Sequence, residues 1–380
     1  MAVSGGAAPR LARLRLTDFR SYATFDLSIE GRLVAFAGPN GAGKTNILEA
    51  ISLLGPGRGI RRAQIMAMPR KSGSGGFAIN AEGDGLLGPV MLATALQPGQ
   101  TARLCRIDRE PVAGAGRFLE HLSMLWLTPD QDGLFRGAAG ERRRFLDRLV
   151  LAIDAGHASR ANAFELALRH RNRLLEDERS DPHWLDAIER EIAELGVAVA
   201  AARRETVLRL DALGQSEAAA IAPFPFAVLT LEGDIEERLS GQKAPEVEDW
   251  FREALRDNRW RDRQAGRTLI GPQASDLAVT HGPKGEIAAL CSTGEQKALL
   301  IGVVLAQARL IAQMCGAPPI LLLDEVAAHL DEVRRAALFE MLDALGAQSF
   351  MTGTDASLFA ALPKRDRCYK VQDGLVKFEV

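Results

Sequence analysis

The stretch LVAFAGPNGAGKTNILEAISLLGPG, residues 33–57, decides how the chain folds. Its first five residues are all apolar, as in a strand buried on both faces of a parallel sheet. Its middle, GPNGAGKT at 38–45, has the form Gly-x-x-x-x-Gly-Lys-Thr. Glycines at those places let successive backbone N–H groups wrap a phosphate, the lysine reaches the terminal phosphates, and the threonine hydroxyl can sit on Mg²⁺. A helix follows from Lys44 and stops at the breakers Gly55-Pro56-Gly57. A chance glycine-rich turn lacks this setting of strand before and helix after. The residues expected to hold a nucleoside triphosphate are Gly38, Asn40, Gly41, Gly43, Lys44, Thr45 and Asn46.

A second apolar run, PPILLLDE at 318–325, ends in two acids. Carboxylates at the carboxyl end of a central parallel strand face the crevice where such sheets bind ligands. Asp324 is expected to share Mg²⁺ with Thr45, and Glu325 to act as general base for a water attacking the γ-phosphate. Between the two motifs lies CSTGEQKALLI, 291–301. Ser292-Thr293-Gly294-Glu295 is a capping box that opens a buried helix. The same residues read Ser-x-Gly-x-Gln, and a helix start with free N–H groups suits a phosphate. Phosphate loop, long insertion, Ser-x-Gly-x-Gln and acidic strand, in that order, match the ABC-type ATPases. In that family the signature helix caps the γ-phosphate held by a second copy, so Ser292, Gly294 and Gln296 are expected to act in trans.

Composition narrows the class. With 47% hydrophobic and 25% charged residues among 380, the chain can bury one large core or two. No uninterrupted apolar window of membrane-spanning length is read in it, and residues 1–16 lack the apolar centre of a signal peptide. The four cysteines are far apart, which argues against a disulfide framework or zinc cage and suits a reducing cytoplasm. A formal charge of −2 does not advertise a nucleic-acid partner globally.

The character of the sequence changes near Ala138, after which proline is scarce and Ala, Leu, Arg and Glu are dense. Leu185, Ile188, Ile192, Leu195, Val199 and Ala202 step by three and four as a helical seam does, and Ser180-Asp181-Pro182 breaks the helix before it. The expected organisation is a loose tail at 1–10, an α/β head from 11–137 and 268–380, and an inserted, mainly helical domain at 138–267.

Six blocks then carry a resemblance: LRLTDFRSY (14–22), FAGPNGAGKTNILEAISLLGPGRGIRR (36–62), LTPDQDGLFRG (127–137), RRRFLDRLV (142–150), CSTGEQKALLIGVVLAQARLI (291–311) and LLLDEVAAHLD (321–331). Together, and in this order, they resemble the RecF family of ABC-type, SMC-like DNA repair ATPases. The resemblance implies an ABC-ATPase head, with a P-loop sheet, flanking helices and an antiparallel β subdomain, plus an arm-like insertion. It implies ATP and Mg²⁺ as cofactors, an ATP-dependent homodimer, slow hydrolysis, and a nucleoid-associated place in the cytoplasm. It also implies binding to double-stranded DNA and single/double-strand junctions, with RecR and RecO as partners and RecA as the protein loaded. Carried over by position, Gln131 in Pro129-Asp130-Gln131-Asp132 falls in the loop that senses Mg²⁺, where the family usually reads Pro-Glu-Asp. Asp331, after Ala328-His329-Leu330, falls on the dimer seam.

Two places depart from pattern. Many ABC ATPases have a histidine after the next strand, where this chain has Thr352-Gly353-Thr354-Asp355; Thr354 or Asp355 is the expected stand-in, with slow turnover. In Gly271-Pro272-Gln273-Ala274-Ser275-Asp276-Leu277, Gln273 and Ala274 stand where the family carries His-Arg. Basic groups cluster at Arg58, Arg61 and Arg62, at Arg70-Lys71, at Arg142–Arg144 with Arg148, and at Arg256, Arg259, Arg261 and Arg263. Phosphate-backbone binding needs only such patches, and the first, which follows the P-loop helix, is the expected DNA contact. A transporter ATPase subunit would have a shorter stretch between P-loop and signature, and an SMC-type clamp a far longer coiled coil.

Overall fold

The structure, a computed structural model, describes residues 8–177, 181–372 and 374–379. Residues 1–7 of the expected tail, and Ser180 of the expected helix break, lie outside the described residues. From the amino end come β1 (Arg10–Phe19), β2 (Tyr22–Ser28), β3 (Leu33–Ala37) and α1 (Lys44–Ser52). The strands β4 (Phe77–Gly85), β5 (Gly88–Leu96), β6 (Leu104–Ile107), β7 (Glu110–Val112) and β8 (Met124–Leu127) follow. Helices α2 (Ala139–Leu151), α3 (His157–Glu176) and α4 (Pro182–Ser216) lead to β9 (Ala227–Glu232). Then come α5 (Asp234–Arg238), α6 (Ala244–Asp257), α7 (Arg259–Ala265), β10 (Asp276–His281) and β11 (Glu286–Ile287). The chain closes with α8 (Thr293–Cys315), β12 (Ile320–Leu323), α9 (Glu332–Leu345), β13 (Ser349–Gly353), β14 (Arg367–Gln372) and β15 (Leu375–Glu379).

These elements form two compact units. The first comprises Met1–Asp132, Ala218–Pro225 and Ser292–Val380, the second Gly133–Glu217 and Phe226–Cys291. The expected return to the head at 268 therefore comes later. The reason is strand pairing: β10 lies antiparallel to β9 from Asp276↔Glu232 to His281↔Ala227, and β11 pairs with β10. That three-stranded sheet keeps 268–291 with the second unit.

In the first unit, one sheet runs β15-β14-β3-β13-β12-β8 and is parallel except at β14/β15. β3, β12 and β13 are buried at every residue, which is why β3 and β12 read as unbroken apolar runs. A second, antiparallel sheet runs β2-β1-β4-β5-β6-β7, and one core cluster joins Leu14, Leu16 and Phe77 of that sheet to Ile47 and Ile51 of α1 and to Val34 and Phe350 of the other. Residues Gln296–Leu305 of α8 are likewise buried. By length and composition α8 could cross a membrane, although Lys297, Gln307 and Arg309 interrupt its apolar sequence. Its burial in the first unit accounts for the apolar run.

In the second unit the helical seam is real: Leu185, Ile192 and Val199 are buried, and Phe164, Ile192, Val199, Val247 and Phe251 share one core. Gly196 sits in the middle of α4, where a Cβ would lie 2.8 Å from Phe251 and 3.0 Å from Phe164. At the heart of this unit the guanidinium of Arg171, fully buried, donates to Glu189 (2.9 Å), Asp262 (2.7 Å), Thr268 Oγ1 (2.7 Å) and the Leu255 carbonyl (2.7 Å). Glu189 also accepts from Arg259. One cation thus fixes α3 to α4, α6 and α7 through groups that hydrophobic periodicity does not reveal. Removing it strands the buried Asp262 without a cation and leaves Glu189 with Arg259 alone. Arg171→Ala is expected to cost about 3–5 kcal/mol, read as a lowered urea midpoint with faster amide exchange in α4 and α7. An unchanged midpoint would contradict the assignment.

Candidate nucleotide site

The phosphate-binding loop joins β3 to α1 through glycines that the backbone requires. At Gly38 a Cβ would fall 2.1 Å from the Val371 carbonyl of the neighbouring β14, and Gly43 has φ +107° with Tyr22 and Ser21 pressed against it. Asn40 and Gly41 are exposed at the rim, whereas Lys44 is buried. The Lys44 ammonium folds over the loop and donates to the carbonyls of Gly38 (2.6 Å) and Pro39 (2.9 Å). Burial pushes its pKa below the ordinary lysine value, against the opposite pull of Glu325 and Asp324. Asn46 is held at both ends, donating to Ser21 Oγ (2.9 Å) and accepting from Arg61 (2.6 Å).

Asp324, at the carboxyl end of β12, is 5% exposed. Its Oδ1 accepts from Thr45 Oγ1 at 2.9 Å and from Thr352 Oγ1 at 2.6 Å. Burial raises its pKa, while these two hydroxyls work the other way. Thr352 in turn accepts from the Glu325 backbone N–H at 2.9 Å. Glu325 has φ +53°, a left-handed conformation that an ordinary residue keeps only where its surroundings enforce it. The structure thus brings Lys44, Thr45, Asp324 and Glu325 to the same ends of β3 and β12, two parallel strands flanking β13, where open α/β sheets bind ligands. It also adds a residue that the motif reading passed over. Thr352 is fully buried in SFMTG, and the only signal for it was a threonine in an apolar strand.

Two hard oxygens 2.9 Å apart, one a hydroxyl and one a carboxylate, suit Mg²⁺. Among the described residues no group of three His, Cys, Asp or Glu could hold a metal unaided. A cation here would complete its shell from phosphate oxygens and water, as Mg²⁺ commonly does. Gln131 is not brought to this pair among the described residues. It closes a capping box in which its Oε1 accepts from the Thr128 N–H at 3.0 Å. The next residue, Asp132, forms an ion pair at 3.0 Å with the buried Lys297 of α8. The loop after β8 is thereby tied to the helix that Ser292 opens, a link carried by one lysine in an apolar helix.

At that helix start, the Ser292 N–H donates to Glu295 Oε2 at 2.9 Å, and the Glu295 N–H donates back to Ser292 Oγ. Ser292, Thr293 and Gly294 are exposed, and nothing lies within 4 Å of a Cβ at Gly294. Gln296 departs from the expectation of a trans contact: at 2% exposure it is turned away from any surface a second copy could meet. Asp331 caps α9, accepting from the Arg334 N–H at 2.8 Å, and its side chain stays largely exposed. Asp355 is spent on the Ser357 N–H, which leaves Thr354 as the exposed hydroxyl after β13.

The basic clusters are mostly structural. Arg61 pairs with Glu49 (3.1 Å), a fully buried acid that also holds Arg20. Arg62, exposed, also makes an interaction, and Arg58 is exposed. Arg70 pairs with Asp18, Arg142 with Asp276, Arg143 with the Ser275 carbonyl, and Arg144 with Glu141. In the divergent segment Gln273 bonds to the carbonyls of Thr268 and Ile270, while Arg203 holds the Pro272 carbonyl at 2.7 Å.

The chain is similar to known proteins at several levels. A family model described as an AAA domain matches residues 13–59. The DNA replication and repair protein RecF of Rhizobium etli is 52% identical over 368 residues, covering 96% of this chain and 98% of that protein. The RecF proteins of Mesorhizobium japonicum (52%, 97% and 98% covered) and Brucella abortus (51%, 96% and 95% covered) are similarly close. Among solved structures, the recombination mediator protein RecF-ATPrS in the RecFOR pathway superposes with a TM-score of 0.85 at 21% identity. That match covers 98% of this chain and 99% of that one. An SMC head bound to the C-winged helix domain of ScpA superposes at 0.56, with 16% identity and 98% and 97% covered, and shares the fold.

Replacing Thr352 by valine keeps the volume but removes the hydroxyl between Asp324 and the Glu325 N–H. The nucleotide-free protein is expected to lose about 1–3 kcal/mol, seen as a lower melting temperature. Unaltered melting would mean that the hydroxyl does not organise the site.

Proposed function

The chain belongs to the RecF family, and on that premise we propose that it is an ATP-dependent DNA-binding protein of replication and recombinational repair. The observation that carries this reading is the cluster in which Thr45 and Thr352 meet on Asp324 Oδ1 beside the phosphate loop. When ATP enters, Lys44 leaves the Gly38 and Pro39 carbonyls for the terminal phosphates, and the loop N–H groups cradle them. Thr45 and Asp324 would hold Mg²⁺, which would neutralise phosphate charge. Glu325 takes the proton of the water that attacks the γ-phosphorus, yielding ADP and inorganic phosphate. Charge developing on the transferred group also needs donors on its far side, which Lys44, Thr45, Asp324 and Glu325 do not supply.

A second copy does. Its exposed Ser292 and Gly294, at the start of a 23-residue helix, offer a hydroxyl, the Gly294 backbone and the positive end of the helix dipole. ATP then drives dimerisation, and Asp331 lies on the seam between copies. With no histidine after β13, hydrolysis is slow. The dimer engages double-stranded DNA near single-strand gaps, with the exposed Arg58 of the loop after α1 as a phosphate contact, and works with RecO and RecR in loading RecA.

Sedimentation tests this directly. Wild type is expected to dimerise with ATP. Ser292→Arg is expected to remain monomeric while still binding ATP, and Glu325→Gln to stay dimeric because the nucleotide is not cleaved. A Ser292→Arg protein that dimerises like wild type would refute the trans site.

A further inference from the structure

Residues 256–267, RDNRWRDRQAGR, carry five arginines against two aspartates, in a chain whose formal charge is −2. The fold divides these charges into two sets. Asp262 is fully buried on Arg171, and Arg259 is taken up by Glu189 and Asp186. These inward contacts clamp α7 to α3 and α4, and Arg263 adds a bond from Nε to the Leu175 carbonyl at 2.6 Å. The second set faces out. Trp260 is 69% exposed, Arg261 and Arg267 are exposed, and Arg263 lies one turn from Trp260 on the same helix face. Arg256, with a side chain 61% exposed, shares Asp186 with Arg259.

An indole this exposed on a short, rigidly held helix calls for a ligand. Trp250, by contrast, is sandwiched by Phe251 and Arg238. The chemistry around Trp260 selects the ligand. Its outward neighbours on α7 are guanidinium and amide groups, with no large aliphatic side chain to build the apolar centre of a protein interface. A flat π face among cations matches a polyanion whose own flat faces are unpaired, because stacking on an aromatic requires a base outside a duplex. We propose that the α7 surface, Trp260 with Arg256, Arg261, Arg263 and Arg267, binds single-stranded nucleic acid. The indole stacks on a base and the arginines meet the flanking phosphates. This contact extends the DNA-binding reading given above, yet it needs neither ATP nor a second copy.

The test uses the full chain carrying Lys44→Ala, which disables the ATP site, and Trp184→Phe, which removes the other exposed tryptophan. A labelled oligothymidylate of about 15 nucleotides is titrated without nucleotide, with anisotropy and indole fluorescence read together. Binding is expected to quench the fluorescence, and Trp260→Ala to weaken affinity about tenfold with unchanged melting. Arg261→Gln and Arg267→Gln should each reduce the slope of log affinity against log salt by about 0.7. Equal affinity of Trp260→Ala and its parent, or binding without quenching, would overturn the proposal and leave the patch to a protein partner. Because the ATP site is already disabled, a failure here is distinct from a failure of ATP-driven dimerisation.

Discussion

A buried carboxylate is costly unless its oxygens are bonded, and Asp324 solves this by accepting two threonine hydroxyls on one oxygen. The two come from different places in the chain, Thr45 from the first turn of α1 and Thr352 from the end of β13. Their meeting depends on β3, β13 and β12 standing side by side in parallel register. The sheet order thus sets the site. β3 delivers the phosphate loop, β12 the acids, and β13 the hydroxyl that bridges Asp324 to the backbone of Glu325. The left-handed turn at Glu325 is held from outside by that same hydroxyl. A Mg²⁺ ion with its phosphates would find this set of oxygens already assembled.

The other half of the chemistry is built for presentation. The capping box at Ser292 and Glu295 satisfies helix-start groups that would otherwise bend toward solvent, and so holds Ser292 and Gly294 outward. Lys297, one turn on, grips Asp132 in the loop after β8. On the proposed trans reading, the helix whose start would face a phosphate on another copy has a direct bond to a loop of its own nucleotide-binding unit. This is a physical route by which occupancy on one side could be felt at the other.

Much of this was legible in the sequence. The apolar runs of β3 and β12, the glycine spacing and the capping box each follow from local rules, and Lys44, Thr45, Asp324 and Ser292 fall where those rules put them. What the sequence hid were tertiary partnerships. Thr352 and Lys297 are polar residues in largely apolar elements, and nothing local names their partners. Gln296 looked like a surface residue by motif and is buried because α8 is packed along most of its length. Arg61, read as a free cation, is neutralised by Glu49, an acid with no exposed surface. The boundary near 291 was missed because β10 pairs with a strand more than forty residues earlier, and pairing register is not a local property. Arg171 has the same lesson: a charge inside a helical seam reads as surface until its three helical neighbours close over it.

The central claim is that each catalytic site takes its phosphate loop and Glu325 from one copy and Ser292 from the other. Mixing two inactive variants tests it most directly. Glu325→Gln and Ser292→Arg proteins are combined before ATP is added, and phosphate release is compared with each alone. The heterodimer contains one complete site, made of Lys44 and Glu325 from the Ser292→Arg chain and Ser292 from the Glu325→Gln chain. The account predicts that hydrolysis appears in the mixture and in neither variant alone. A mixture as inactive as its components would contradict it.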